Sequence, residues 1–127
     1  MAYWLLKTEP STYAIGDLQR EKRTRWDGVK NAAALINLRK MAVGDQVLIY
    51  HTGAEKAIVG VARVFVADPK DGVITLEFER VLRRPVPLAA IKADPAFKDL
   101  ALVRISRLSA MPVSPAHWTR LLKPSGP

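Results

Sequence analysis

The chain of 127 residues contains no cysteine. That absence excludes a disulfide scaffold, a thiol nucleophile and any thiolate-based zinc site, and it suits a reducing compartment. Histidine is almost as scarce. His51 and His117 stand far apart in the chain, with no companion ligands at metal spacing. The glycines form no phosphate-binding run: Gly16, Gly28 and Gly44 are isolated, and Gly60 falls inside a strand-like stretch. No Gly-x-Ser-x-Gly elbow occurs. No apolar run approaches the roughly 20 residues that cross a bilayer. The stretch Tyr3-Trp4-Leu5-Leu6 meets Lys7 and Glu9 too soon to read as a secretory signal. These absences lead us to expect a cytoplasmic protein with no membrane, metal or cofactor requirement.

Acidic residues are also in short supply. Twelve Asp and Glu face twenty Lys and Arg, giving a net charge of +8 and a pI near 10.1. Such an excess favours a polyanion as partner, and nucleic acid is the commonest one inside cells. A merely solubilising surface accounts for the charge equally well. The cations are dispersed in short clusters, such as Lys22-Arg23 with Arg25 and Arg80 with Arg83-Arg84, and form no polybasic tail.

What is present describes one domain over residues 1–127, long enough to bury roughly two-thirds of its unfolded surface. Strand patterns occupy residues 3–7, 46–52, 57–66, 102–105 and 108–113. Another strand alternates Ile74, Leu76 and Phe78 with Thr75, Glu77 and Glu79. Helical patterns occupy residues 15–20, 32–41 (capped by Asn31) and 88–92. A short helix opens at Asp94-Pro95, and a last one at Ser114-Pro115 carries Trp118, Leu121 and Leu122 on one stripe. Residues 21–25 read as a charged connector, residues 68–72 as a hairpin turn, and Pro85 with Pro87 as the end of a strand. The sum is an α+β fold. We expect a curled antiparallel sheet, or pseudo-barrel, of five or more strands flanked by short helices and acting as a monomer.

Few residues announce chemistry. Lys7 and Glu9 lie two apart on one strand face, which favours a structural ion pair over a catalytic acid–base pair. A Ser109–His51 dyad is compatible with the sequence, but nothing singles it out. The segment Trp26-Asp27-Gly28-Val29-Lys30-Asn31 is odd on physical grounds. A large aromatic follows a charged stretch and runs directly into Asp-Gly turn chemistry and a polar helix cap. Such a tryptophan either folds back on the core, the commoner outcome, or walls a cavity.

Several ordered motifs resolve the choice by resemblance. Residues 3–11 (YWLLKTEPS), Trp26-Asp27-Gly28-Val29-Lys30-Asn31, Val43-Gly44-Asp45 and Tyr50-His51-Thr52 resemble the EVE domain family. Residues 58–62 (IVGVA) and 107–113 (RLSAMPV) continue the match in the family's order. The family belongs to the PUA-like superfamily, related to the YTH modules. The resemblance implies a concave pocket for a nucleobase, with a preference for modified bases, notably modified cytosines in DNA. On that basis Trp26 and Tyr50 offer π-surfaces; Asn31, His51, Thr52 and Ser109 offer hydrogen bonds to the base edge. Lys7, Lys30 and Arg107 would meet phosphates.

Each assignment has a plainer alternative. Asn31 caps a helix, Arg107 pairs with a carboxylate, and Tyr50, Thr52 and Ser109 face water or a cross-strand neighbour. The chain also departs from the family pattern. Lys30 replaces an Arg, Ala32-Ala33-Ala34-Leu35-Ile36 replaces a polar and aromatic run, and Met111 stands where Gln is usual. Three functions follow. The first is a nucleic-acid-binding module that accepts a modified nucleobase. The second is a general RNA-binding PUA-like protein in translation or RNA modification. The third, an enzyme, is a nucleotide-directed hydrolase or transferase.

Overall fold

The computed structural model describes residues 1–123, so the end of the expected domain, 124–127, lies outside the described residues. The strands are β1 (Tyr3–Thr8), β2 (Arg23–Trp26), β3 (Gln46–His51), β4 (Ala57–Asp68), β5 (Val73–Pro87) and β6 (Ala110–Val113). The helices are α1 (Ile15–Glu21), α2 (Ala32–Lys40), α3 (Leu88–Ala93), α4 (Ala101–Arg104) and α5 (Pro115–Leu122), with a 3₁₀ turn at Pro95–Phe97. All six strands join one curled sheet in the order β2-β5-β4-β3-β1-β6, whose ends do not meet. The α+β class and curled sheet are as the sequence leads one to expect.

Burial explains the order. Trp4, Leu5 and Leu6 are consecutive and all buried, so β1 has to be covered on both faces, and it lies inside the sheet. It runs parallel to β3 and antiparallel to β6. The sheet is therefore mixed rather than wholly antiparallel, because α1, β2 and α2 carry the chain from β1 round to β3 as a crossover. At the start of β1 the buried Asp45 accepts hydrogen bonds from Trp4 Nε1 at 2.9 Å, Ala2 N at 3.0 Å and Ala42 N at 3.0 Å. One carboxylate thus ties the first strand to the turn that starts β3.

Three local readings need correction. The charged connector is partly strand β2, whose alternation is of exposure, with Arg23 and Arg25 outward and Thr24 and Trp26 half-buried. Pro87 does end β5, as expected, but Pro85 does not: it falls in the irregularity between the pairs Gly60–Val81 and Ile58–Val86, where a missing N–H costs little. The expected strand at 102–105 is instead the end of α4 with Ile105 as its C-cap, and four residues are too few for periodicity to separate strand from helix.

Gly60 has a packing role inside β4. A Cβ there would overlap Ile15 Cδ1, lie 2.7 Å from Ile15 Cγ1 and lie 3.1 Å from the Arg80 carbonyl oxygen. The start of α1 is seated directly on bare strand backbone. Gly60→Val should therefore destabilise the fold by about 2–3 kcal/mol through overpacking. Urea unfolding checks it, and a loss below about 0.5 kcal/mol would mean that Ile15 is free to move aside.

Candidate functional site

The edge strand β2 delivers Trp26 to the site. Its register sets Arg23 opposite Glu77 and Trp26 opposite Ile74. Glu77 accepts from Arg63 Nε at 2.7 Å and Arg23 Nε at 2.9 Å, so one carboxylate pins both β2 and β4 to β5. Arg63, then Arg23, hold the Glu77 carboxyl below its ordinary value. Any stability this carboxylate contributes is present above the usual glutamate range and is lost as pH falls through its lowered folded value. The Arg23 guanidinium also lies 3.8 Å from the Phe65 ring centroid. Beyond Trp26 the chain turns at Gly28, where φ is +75°.

Trp26 is half-buried and walls a cavity of about 460 Å³. Tyr13 meets it edge-on, with centroids 6.1 Å apart and planes at 85°. The Tyr13 hydroxyl donates to Glu21 Oε1 at 2.6 Å. Burial, with help from Glu21, pushes its pKa up to about 12, so the ring stays a neutral phenol around neutral pH. The Thr8 hydroxyl donates to the Tyr13 carbonyl oxygen at 2.8 Å and fixes the loop that carries this ring. Lys7, Glu9, Thr24, Arg25, Asp27 and Val29 complete most of the lining. The cavity thus combines an aromatic wall, two carboxylates, two cations and an apolar side chain.

Lys7 also lines a second cavity, of about 280 Å³, with Tyr50 and Thr52. Its Nζ donates to the Ser106 carbonyl oxygen at 2.8 Å and stands 5.7 Å from the Tyr50 ring centroid. Burial pushes the Lys7 pKa down from its ordinary value. Thr52 donates to Glu9 Oε2 at 3.1 Å, and Glu9 lines the first cavity, so this hydrogen bond joins the two walls. Lys7 and Glu9 do not form the expected ion pair. The strand ends at Thr8, so the two-residue alternation stops before Glu9, whose other oxygen accepts from the Ser11 hydroxyl at 3.2 Å.

The sequence-predicted site residues divide accordingly. Trp26 and Lys7 meet at the first cavity; Tyr50, Thr52 and Lys7 meet at the second. Tyr50 is only 3% exposed, so its ring face is spent on packing. Asn31 caps α2 by accepting from Ala34 N at 3.0 Å, and it lines neither cavity. Lys30 and Arg107 are exposed outside both, and Ser109 contributes its carbonyl oxygen to Lys7 N. His51 is buried. Its Nε2 accepts from Ile15 N at 3.0 Å, which puts the proton on Nδ1 for Glu55 Oε1 at 2.7 Å. Both ring nitrogens are occupied, so no Ser109–His51 dyad forms.

Sequence reasoning missed most of the lining as ligand groups, notably Glu9, Tyr13, Thr24, Arg25, Asp27 and Val29. Both Asp27 and Val29 lay inside the singled-out segment, Asp27 read only as turn chemistry and Val29 given no role. The family departures fall away from the site. Met111 is fully buried opposite Leu5, and residues 32–36 line neither cavity. Among the described residues, no three His, Asp or Glu side chains cluster as metal ligands, and no helix is long and apolar enough to cross a membrane.

A curled, unclosed sheet with short helices and a polar cavity beside a loop tryptophan defines a small α+β domain built around a concave site. Residues 2–124 match the family model described as the EVE domain, and the chain belongs to that family. Thymocyte nuclear protein 1 of Danio rerio is 28% identical, over 94% of this chain and 70% of its own length. The NMR structure of Rpa0253 from Rhodopseudomonas palustris superposes with a TM-score of 0.91 at 35% identity, covering 99% of this chain and 94% of its own. The crystal structure of human THYN1 protein in complex with 5-methylcytosine-containing DNA superposes with a TM-score of 0.88 at 23% identity, covering 100% and 99%.

Proposed function

We propose that the protein binds nucleic acid by drawing one modified base out of its stack into the cavity beside Trp26. The observation that carries this reading is the composition of that cavity: an aromatic wall with carboxylates and cations within one space of about 460 Å³. The human THYN1 structure, solved with DNA containing 5-methylcytosine, supports the same choice of ligand. A cytosine edge presents an exocyclic amine donor and carbonyl and ring-nitrogen acceptors. Glu9 or Asp27 takes the amine, Lys7 donates to the carbonyl, and Val29 supplies an apolar neighbour for a 5-methyl group. Everting the base costs a few kcal/mol, and stacking on an aromatic returns roughly 1–3 kcal/mol of that. Edge hydrogen bonds must supply the remainder, so base identity and modification decide affinity. The protein acts by binding, as a cytoplasmic monomer.

The test is a set of short single- and double-stranded oligonucleotides, DNA and RNA, with and without one modified cytosine, titrated at two salt concentrations. The modified DNA should bind about tenfold more tightly, the size of one good edge contact, and keep that advantage at the higher salt. Equal, weak and wholly salt-dependent binding to every oligonucleotide would overturn the reading, because the +8 charge alone produces it. Tight binding to structured RNA, indifferent to modification, would establish the general RNA-binding alternative.

A further inference from the structure

The second cavity differs from the first in its charge. The base-sized cavity carries Lys7 and Arg25 against Glu9 and Asp27, and Arg25 Nε lies 3.5 Å from Asp27 Oδ2. The smaller one is lined by Lys7, Lys56 and Lys92 with no carboxylate among its lining residues, and Glu9, just behind Thr52, accepts from the Thr52 hydroxyl at 3.1 Å. Thr52 and Ser106 add hydroxyl groups, and Leu88 and Leu102 form its apolar sides. Three lysines lining one concavity give it an unbalanced positive charge, which favours an anion there. No ion pair among the described residues engages Lys56 or Lys92. Their neighbour Glu55 is already committed to His51.

The backbone holds these lysines in place. Lys56 has φ of +47°, in the left-handed region where glycine or asparagine costs less. Its carbonyl oxygen accepts from Leu88 N at 2.8 Å, which fastens the loop after β3 to the start of α3. Leu88 and Lys92 are four residues apart on α3 and therefore share a helix face, the one that lines the cavity. A loop lysine in a strained conformation and a helix lysine one turn along thus converge with Lys7 from three separate elements.

We propose that this cavity is a phosphate site, walled by Lys7, Lys56 and Lys92, and that it takes the phosphate of the nucleotide whose base occupies the neighbouring cavity. Lys7 lines both cavities, and the Thr52–Glu9 hydrogen bond forms part of the wall between them, which makes them neighbouring compartments for one nucleotide. The coupling to a base rests on the function proposed above; the anion site itself does not. Phosphate held here adds affinity without reading sequence, and the neighbouring cavity does the reading.

The experiment uses inorganic phosphate, 5-methyldeoxycytidine and the 5′- and 3′-monophosphates of that nucleoside, each titrated into the 15N-labelled protein. Wild type is compared with the double variant Lys56→Gln, Lys92→Gln, which keeps the side-chain stems and leaves Lys7 untouched. Inorganic phosphate should shift the amides of Gly53, Lys56 and Ser106. One of the two monophosphates should bind about tenfold more tightly than the nucleoside, the size of a charge-assisted hydrogen bond. In the double variant both effects should vanish while nucleoside binding and the rest of the spectrum stay unchanged. A phosphate increment that survives in the double variant overturns the site. So does binding of nucleoside with no response to phosphate in the wild type, a result that leaves the base reading standing. Phosphate shifts without any nucleoside binding support the anion site and overturn the base reading. Phosphate shifts with monophosphates binding no better than nucleoside overturn the coupling between the two cavities.

Discussion

Replacing Asp45 with alanine is expected to cost about 3 kcal/mol or more of folding stability, the largest loss we foresee from a single polar side chain. The carboxylate is 6% exposed and accepts from three donors, Ala2 N, Trp4 Nε1 and Ala42 N. Each bond to a buried charged acceptor contributes roughly 1.5–3 kcal/mol, and the three do not add in full because they share one group. Alanine also leaves the Trp4 indole N–H buried without a partner. Asp45→Asn keeps one oxygen acceptor and should lose about half as much. Urea unfolding measures both, and a loss under about 1 kcal/mol for the alanine variant would contradict the account.

The same residue sets a pH dependence. Burial pushes the Asp45 carboxyl up, but the hydrogen bonds from Ala2, Trp4 and Ala42 outweigh it and leave the folded pKa below the ordinary value. The folded state therefore binds its proton less readily than the unfolded chain does. Its contribution is complete above the unfolded value of about 3.9 and is lost as pH falls through the folded one. Wild type and Asp45→Asn should differ in stability at neutral pH and converge in strong acid.

Trp26→Ala is expected to weaken binding of a modified-cytosine oligonucleotide by roughly 10- to 100-fold, the cost of one lost stacking surface. Trp26→Phe should restore part of that affinity, since a smaller ring still stacks. The substitution spares the fold, because Trp26 is half-buried at the end of an edge strand and Arg23 and Glu77 hold that strand independently. An alanine variant that stays folded and binds modified and unmodified DNA as wild type does would remove Trp26 from the site.

Sequence pattern conveyed the sheet's interior well, and particular residues show why. The consecutive apolar residues of β1 and β3 permit only strands covered on both faces, and Asp94-Pro95 and Ser114-Pro115 begin helical turns where capping chemistry puts them. β2 escaped because an edge strand needs no hydrophobic alternation; its Arg23 and Arg25 face outward by design of position, and the cue was Trp26 at its end. The run at 102–105 was too short for period to decide.

The site was half legible. Trp26 stood out as a large aromatic beside turn chemistry, and Lys7 entered only through the family resemblance, as a phosphate contact. His51 misled because a histidine near family motifs invites a ligand role, whereas here it anchors the start of α1. Lys56 and Lys92, far apart in sequence, meet only once α3 docks on the loop after β3. No local pattern encodes that meeting.

The most direct test of the base cavity is an amide and indole titration of the protein with a short DNA carrying a single 5-methylcytosine, beside the same strand unmodified. We predict that the modified strand shifts the Trp26 indole N–H and the backbone amides of Thr8, Asp27 and Gly28 most strongly, and that the unmodified strand moves them much less. Equal shifts for both strands, spread over exposed lysines and arginines and sparing Trp26, would contradict it.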